Sequence, residues 1–233
     1  MKIKPVLDEP AIIVDGFLVV SDLHIGIESE FYDKGIAIPE QTHRLLSRLI
    51  SIADREDVSK LIILGDVKHL VPRTAFQERM ALAIFFAELK KRFDRIVLTI
   101  GNHDVLLPEI DAEIYPSTGV RIGEAGFFHG HAYPSEDVMK ASRWFIGHEH
   151  ASIEFRDAFG VRSVEPCWLR IRRDRRMITV LPPFNPLLAG GMGESFLSPV
   201  LKGTDDKDIE VYLLDGTFLG TMSIIRRRYA GAP

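Results

Sequence analysis

Five apolar, strand-like runs of the chain each end in a short polar segment that is rich in Asp, Asn and His. In chain order these segments are Ser21-Asp22-Leu23-His24, Gly65-Asp66, Gly101-Asn102-His103-Asp104, His129-Gly130-His131 and Gly147-His148-Glu149-His150. In sheets of α/β type, ligands collect outside the carboxyl ends of the strands, where loops converge. The pattern therefore predicts one polar site that is built from five loops.

Helical and strand patterns around these runs predict the fold class. Apolar residues fall on one face of a helix over 39–53, and Phe76, Met80, Ala83 and Ala87 mark a second amphipathic helix. Later in the chain we expect strands at 152–156, 161–172 and 177–181, and a hairpin of 210–214 with 217–225. Early βαβ units and late hairpins predict an α/β fold of two packed sheets with helices outside. The length of 233 residues fits a single domain, 1–233.

Composition narrows the chemistry of the site. Cys167 is the only cysteine, so no thiolate cluster can form, and any metal must be held by nitrogen and oxygen ligands. The net charge of −4 gives no global signal for nucleic acid. No apolar run is long enough to span a bilayer, and we expect a soluble, cytoplasmic protein without membrane contact.

The residue types suit a pair of metal ions. Asp22 and His24 are two apart in extended chain, so their side chains share a face and can reach one ion. Asp66 offers two oxygens and is a natural bridge between two cations, and Gly65 before it permits close approach. Asn102 adds a neutral carbonyl ligand, which limits the negative charge around two dications.

The remaining histidines have several possible roles. His103 can donate a proton, and Asp104 is expected to hold that imidazole protonated and oriented. His148 and His150 form a second imidazole pair, and either His129 or His131 completes the set. Each short match alone is more often a turn or core feature. The ordered set of five at strand ends favours a metal site.

Together the five motifs resemble the signature of calcineurin-like metallophosphoesterases over about residues 14–150. The resemblance implies a four-layer α/β/β/α sandwich of two mixed sheets flanked by helices, with two divalent metal ions. It also implies that Asp66 bridges the ions and that His103 contacts the phosphate or the leaving group. The implied ligands are Asp22, His24, Asp66 and His150 for one metal, and Asp66, Asn102, His129 and His148 for the other.

A narrower resemblance links Asp22-Leu23-His24-Ile25-Gly26 and Gly65-Asp66-Val67-Lys68-His69 to SbcD-related phosphoesterases of the archaeal type. Pro183-Phe184-Asn185-Pro186 and Gly190-Gly191 extend it. These motifs are also similar to those of bacterial phosphoesterases linked to a ligase and helicase of DNA repair. The resemblance implies nucleotide or DNA phosphodiesters as substrates and DNA-repair proteins as partners. Within these 233 residues we expect neither the capping domain nor the coiled-coil attachment region of the large double-strand-break nucleases.

Several alternatives stay open at this point. A ligand set without thiolate favours Mn²⁺, Fe or Zn²⁺ over Ca²⁺, and the resemblance favours Mn²⁺. Lys68 and His69 either contact substrate phosphate or are solvated loop residues. His131 is a candidate for positioning a metal ligand without binding the metal itself. The leading function is a phosphodiesterase in which metal-activated water attacks phosphorus. The alternatives are a phosphomonoesterase of small metabolites or phosphoproteins, and a catalytically silent metal-binding scaffold.

Overall fold

The strands form two mixed β-sheets in a computed structural model that describes residues 1–71, 76–156, 159–188 and 195–229. The first sheet has the order β1-β2-β3-β4-β5-β6, antiparallel up to β3 and parallel from there on. Its strands are β1 (Ile3–Pro5), β2 (Ile12–Val14), β3 (Phe17–Val20), β4 (Lys60–Ile63), β5 (Arg95–Thr99) and β6 (Glu113–Tyr115).

The second sheet has the order β14-β13-β11-β12-β9-β8-β7, and β10 also pairs with β11. Its β8, β9 and β12 are parallel to one another, whereas the other neighbours are antiparallel. The strands are β7 (Val120–Ile122), β8 (Ala125–Phe127), β9 (Arg143–Ile146), β10 (Ser152–Arg156), β11 (Arg162–Arg173), β12 (Arg176–Val180), β13 (Ile209–Leu213) and β14 (Phe218–Thr221).

The described helices vary widely in length. They are α1 (Glu28–Asp33), α2 (Thr42–Glu56), α3 (Phe76–Arg92), α4 (Glu136–Met139) and α5 (Met222–Tyr229), with short 3₁₀ turns at Pro186–Leu188 and Asp206–Asp208. The Glu40 carboxylate accepts the backbone N–H of Thr42 at 2.7 Å and so caps the start of α2. In the described ranges no helix combines the length and the apolar composition that crossing a membrane requires.

Alternating side chains of the central strands build three apolar layers. In β4, Leu61 and Ile63 pack under α2 and α3, whereas Ile62 faces the second sheet. The layer between the sheets joins residues such as Val97 of β5 to Phe145 of β9. A third layer covers the outer face of the second sheet and includes residues of α4 and α5. The predicted α/β/β/α sandwich is confirmed.

The register of the parallel strands brings their carboxyl ends to one level. Val20 of β3 pairs with Ile63 of β4, and Ile63 pairs with Leu98 of β5. In the second sheet Phe127 of β8 pairs with Phe145 of β9. Because the strands end together, the polar segments that follow them emerge side by side at one edge of both sheets.

Two local predictions were wrong. The helix α3 exists, but Phe76 and Met80 of its predicted apolar face are exposed. Its buried face carries larger side chains at helical spacing, namely Leu82, Phe85, Phe86 and Leu89. The expected strand 217–225 ends at Thr221 and continues as α5, because apolar Met222 and Ile225 are three apart and reach the same core from a helix.

Candidate metal centre

Glycines allow the polar segments to approach one another closely. A Cβ atom on Gly65 would lie 2.8 Å from the Gly101 backbone and from His129 Cβ. A Cβ atom on Gly147 would lie 1.6 Å from Ser21 Oγ. Side chains at these positions would push the loops apart. The two glycines therefore set the small separation between loops that belong to different strands.

The first group of ligand atoms comes from Asp22, His24, Asp66 and His150, which lie within 4.8 Å of one another. His24 Nε2 lies 3.4 Å from Asp66 Oδ2, and His150 Nε2 lies 3.5 Å from Asp22 Oδ1. Atoms that share one ion at roughly 2.1 Å lie about 3 to 3.5 Å apart. The group thus has the spacing of a cation site.

Asp66 also belongs to a second group, with His129 and His148. Asp66 Oδ2 lies 3.2 Å from His129 Nε2, and Asn102 Oδ1 lies 3.1 Å from the same nitrogen. Both groups include the carboxylate of Asp66, which is the position that a bridging ligand occupies. The structure therefore brings all seven predicted ligands to one place.

The backbone of the ligand residues is unusual. Five of them adopt positive φ angles, a conformation that is disfavoured for residues with a side chain. Their φ values are 55° for Asp22, 42° for His24, 51° for Asp66, 70° for His148 and 45° for His150. Each such residue costs on the order of 1 kcal/mol, and backbone strain of this kind concentrates at functional sites. The loops are shaped to aim these side chains inward.

Buried nitrogens of the site have no hydrogen-bond partner among the described residues. These are Nε2 of His24 and Nε2 of His150. Buried polar groups are normally satisfied, so each one requires an explanation. On His129, Nδ1 donates to the Leu64 carbonyl at 2.6 Å, which turns Nε2 towards Asp66. Unpaired imidazole nitrogens beside buried carboxylates fit divalent cations.

Negative charge dominates the electrostatics of the site. Burial opposes ionisation of Asp22 and Asp66, yet neighbouring imidazoles hold the pKa of both carboxyls below its usual range. Burial alone would lower the pKa of His129, but Asp66 and Asp22 raise it to about 9. Burial and then His129 lower the pKa of His148 to about 4. The carboxylates thus stabilise positive charge between the two sheets.

The predicted partnership of His103 and Asp104 is wrong. Asp104 is buried, and its two oxygens accept the backbone N–H groups of Asp66, Val67, Lys68 and Gly101. The His103 ring instead donates from Nδ1 to the His69 carbonyl at 2.6 Å. Burial, and after it Asp66, raises the pKa of Asp104 to about 6. Asp104 fixes the loop that carries Asp66, and a backbone carbonyl orients His103.

The remaining candidate residues, Lys68, His69 and His131, differ in their contacts with the site. Lys68 is fully buried and its Nζ donates to the Leu70 carbonyl, so it is neither a solvated loop residue nor a phosphate contact. His69 lies against the ligand His24, with their Nδ1 atoms 3.0 Å apart. His131 lies beside the His129 ring, and its buried Nδ1 has no hydrogen-bond partner among the described residues.

Two residues that support the site, Asn185 and Glu149, appear in the sequence motifs, but the sequence did not indicate their roles. The side chain of Asn185 donates to the Leu23 carbonyl at 2.8 Å and so braces the loop of Asp22 and His24. Glu149 lies between the candidate ligands His148 and His150 in the sequence. Its carboxylate accepts the backbone N–H of Ser198 at 2.7 Å. The motif Pro183–Pro186 was the signal for the first contact. Gly190-Gly191 lies outside the described residues.

Comparisons with known proteins bear on the fold and the family of the chain. Comparison with curated protein sequences gives no match. Among solved structures, the chain is similar to the nuclease MPE of Pseudomonas putida, with 22% identity and a TM-score of 0.61, covering 92% of this chain and 98% of that one. Yfce, a phosphoesterase from E. coli, gives 15% identity and a TM-score of 0.45 over 88% and 97%. A family model for calcineurin-like phosphoesterases matches residues 16–202, and the chain belongs to this family.

Proposed function

We propose that the chain hydrolyses phosphodiesters of nucleotides or nucleic acid at a centre of two divalent metal ions. The observation that carries this proposal is the sharing of Asp66 between two groups of buried ligand atoms. One ion would be held by Asp22, His24, Asp66 and His150. The other would be held by Asp66, Asn102, His129 and His148. When bound, such ions acidify water and stabilise charge on phosphoryl oxygens.

His103 is the side chain that we assign to proton transfer. Its backbone N–H donates to Asp66 Oδ1 at 2.8 Å, so the residue is tied to the bridging carboxylate. Because Nδ1 donates to the His69 carbonyl, Nε2 remains for the substrate. A protonated ring can then donate from Nε2 to the leaving oxygen or to the phosphate.

Charge around the site favours diesters over monoesters. The site segments 21–27, 64–71, 100–107, 129–133 and 147–150 contain one lysine, Lys68, and no arginine. That side chain is buried, with its ammonium on a backbone carbonyl. A monoester dianion is best held by arginine or lysine side chains, whereas a diester carries a single charge. The metal ions alone can neutralise that charge.

The choice of substrate and the choice of metal rest on separate arguments. The P. putida protein that shares the fold is a nuclease, so nucleic acid is the first substrate to test. The SbcD-related resemblance and the DNA-repair partners remain predictions. We propose Mn²⁺ as the metal, with Fe and Zn²⁺ as the alternatives that the nitrogen and oxygen ligands also accept.

One comparison of substrates tests the proposal. Purified protein with Mn²⁺ is given bis-p-nitrophenyl phosphate, p-nitrophenyl phosphate, and labelled single- and double-stranded DNA, with Asp66→Asn as the control. We expect turnover of the diester that the control abolishes. Faster turnover of the monoester would favour a phosphomonoesterase. Bound Mn²⁺ without turnover of any substrate would favour a silent scaffold.

A further inference from the structure

A chain of three side chains connects the surface helix α1 with the metal centre. Glu30 of α1 places Oε2 2.7 Å from His69 Nε2. On the other side of that ring, His69 Nδ1 lies 3.0 Å from His24 Nδ1. The far nitrogen of His24, Nε2, is the buried one that lacks a hydrogen-bond partner and faces Asp66. Neither Glu30 nor His69 lies in the two ligand groups that share Asp66.

The carboxylate at one end fixes where the protons lie along this chain. An ionised carboxylate only accepts hydrogen bonds, so His69 Nε2 carries the proton that faces Glu30. A neutral imidazole that carries hydrogen on Nε2 has its lone pair on Nδ1, and the 3.0 Å contact between the two Nδ1 atoms requires one donor and one acceptor. The Nδ1 atom of His69 is therefore an acceptor. It accepts a hydrogen bond from the N–H at His24 Nδ1, and His24 Nε2 is left with a lone pair towards Asp66.

We infer that Glu30 and His69 are positioning residues that fix the tautomer and the ring orientation of His24 for metal binding. The inference rests on the proposed metal centre. Imidazole ligands of metals commonly donate their other N–H to such a partner, and loss of the partner weakens binding about 10–100-fold. Here the partner is a second histidine, and a surface glutamate in turn sets the proton of that histidine.

The backbone of His69 is held independently of its ring. The buried carboxylate of Glu78 accepts the N–H of His69 at 3.0 Å and the N–H of Leu70 at 2.9 Å. The His69 carbonyl accepts from His103 through the main chain. Replacing the His69 side chain therefore removes the contact with His24 and leaves the contact with His103 in place. Metal affinity and proton transfer can be separated by this substitution.

A different role for the same cluster is a third metal site, because His24, His69 and His103 also lie within ligand distance of one another. The proton assignment disfavours it, since His24 Nδ1 carries hydrogen while its Nε2 faces the first group. The two possible roles of His69 predict different numbers of bound ions. A positioning residue changes the affinity for metal, whereas a ligand of a third ion changes the number of ions bound.

The test measures Mn²⁺ binding by isothermal titration and bound metal by mass spectrometry for the wild type, His69→Ala, His69→Gln and Glu30→Ala. We expect His69→Ala to weaken binding about 10–100-fold with unchanged stoichiometry. Gln can accept from His24 and donate to Glu30, so His69→Gln should recover part of the loss. Lys34→Ala removes the other ion pair of Glu30 and serves as the matched control, with affinity within about twofold of the wild type.

A spectroscopic measurement on metal-free protein gives a second readout. Long-range ¹H–¹⁵N spectra should show His24 protonated at Nδ1 in the wild type and in mixed tautomers in His69→Ala. Equal affinity of wild type and His69→Ala, or loss of a whole ion in that variant, would overturn the inference. A wild type that binds none of Mn²⁺, Fe²⁺ and Zn²⁺ would instead overturn the metal centre itself. Circular dichroism of each variant separates these results from unfolding.

Discussion

The Asp104 carboxylate accepts the backbone N–H of Asp66 at 2.8 Å. The same carboxylate holds three further backbone N–H groups of the loops around the site. Asp104 thus acts on the shared ligand through the main chain. Its role is to shape the loop on which the two ligand groups depend.

Asp104→Asn should destabilise the fold and weaken metal binding together. An amide nitrogen cannot accept, and each oxygen of Asp104 accepts two backbone N–H groups, so two of them lose their partner at a cost of about 1–3 kcal/mol each. Urea unfolding and Mn²⁺ titration measure the two effects. A variant of unchanged stability and metal affinity would contradict this role of Asp104.

His103→Ala should retain bound metal and lower turnover by roughly 10²–10⁴-fold, the usual contribution of a general acid. The loss should be larger for a diester with an alkyl leaving group than for bis-p-nitrophenyl phosphate, because nitrophenolate leaves without a proton. Metal analysis and kcat for both substrates measure this. Equal losses on the two substrates would instead assign His103 to phosphate contact.

Gly147→Ala should lower the free energy of unfolding by about 1–3 kcal/mol, the range for overpacking. The new Cβ would lie 1.6 Å from Ser21 Oγ and 2.7 Å from Asp22 Oδ2, so two ligand loops must separate. Metal affinity should fall with stability. The double variant Ser21→Gly with Gly147→Ala removes the nearest obstacle and should restore part of both, and failure to do so would contradict the steric cause.

Cys167 gives the chain a pH dependence on the alkaline side. Burial raises the pKa of its thiol to about 12. The unfolded thiol ionises near pH 8.5, so above that pH the unfolded state binds fewer protons and stability falls as the pH rises. Between about pH 8 and pH 10 the wild type should lose about 2 kcal/mol more than Cys167→Ala. Parallel pH curves for the two proteins would show that the thiol ionises in the folded state.

The meeting of the candidate ligands could be predicted from the sequence because each of them lies in a segment that follows a strand. Once parallel strands end at one level, the segments after Val20, Ile63 and Leu98 must meet, whatever the rest of the fold does. Order along the chain therefore carried the information. Early βαβ units and late hairpins predicted two packed sheets with helices outside, and the resemblance to calcineurin-like metallophosphoesterases implied the four layers.

The predictions that were wrong or missing concern contacts between distant parts of the chain. Asp104 adjoins His103 in sequence, but its hydrogen bonds reach back to the Asp66 loop. The burial of Lys68 and the contact of Glu30 with His69 likewise arise only when separate segments come together. Adjacency in the sequence is a poor guide to such partners. Short amphipathic stretches also left helix and strand undecided at Met222 and Ile225.

Each ligand group draws on both sheets. Asp22, His24 and Asp66 follow strands of the first sheet, and His129, His148 and His150 follow strands of the second. A cation in either position would therefore cross-link the two sheets at one end of the sandwich. Chelation should loosen that end first, while the opposite end, where Phe17 and Lys60 begin their strands, stays closed by apolar packing.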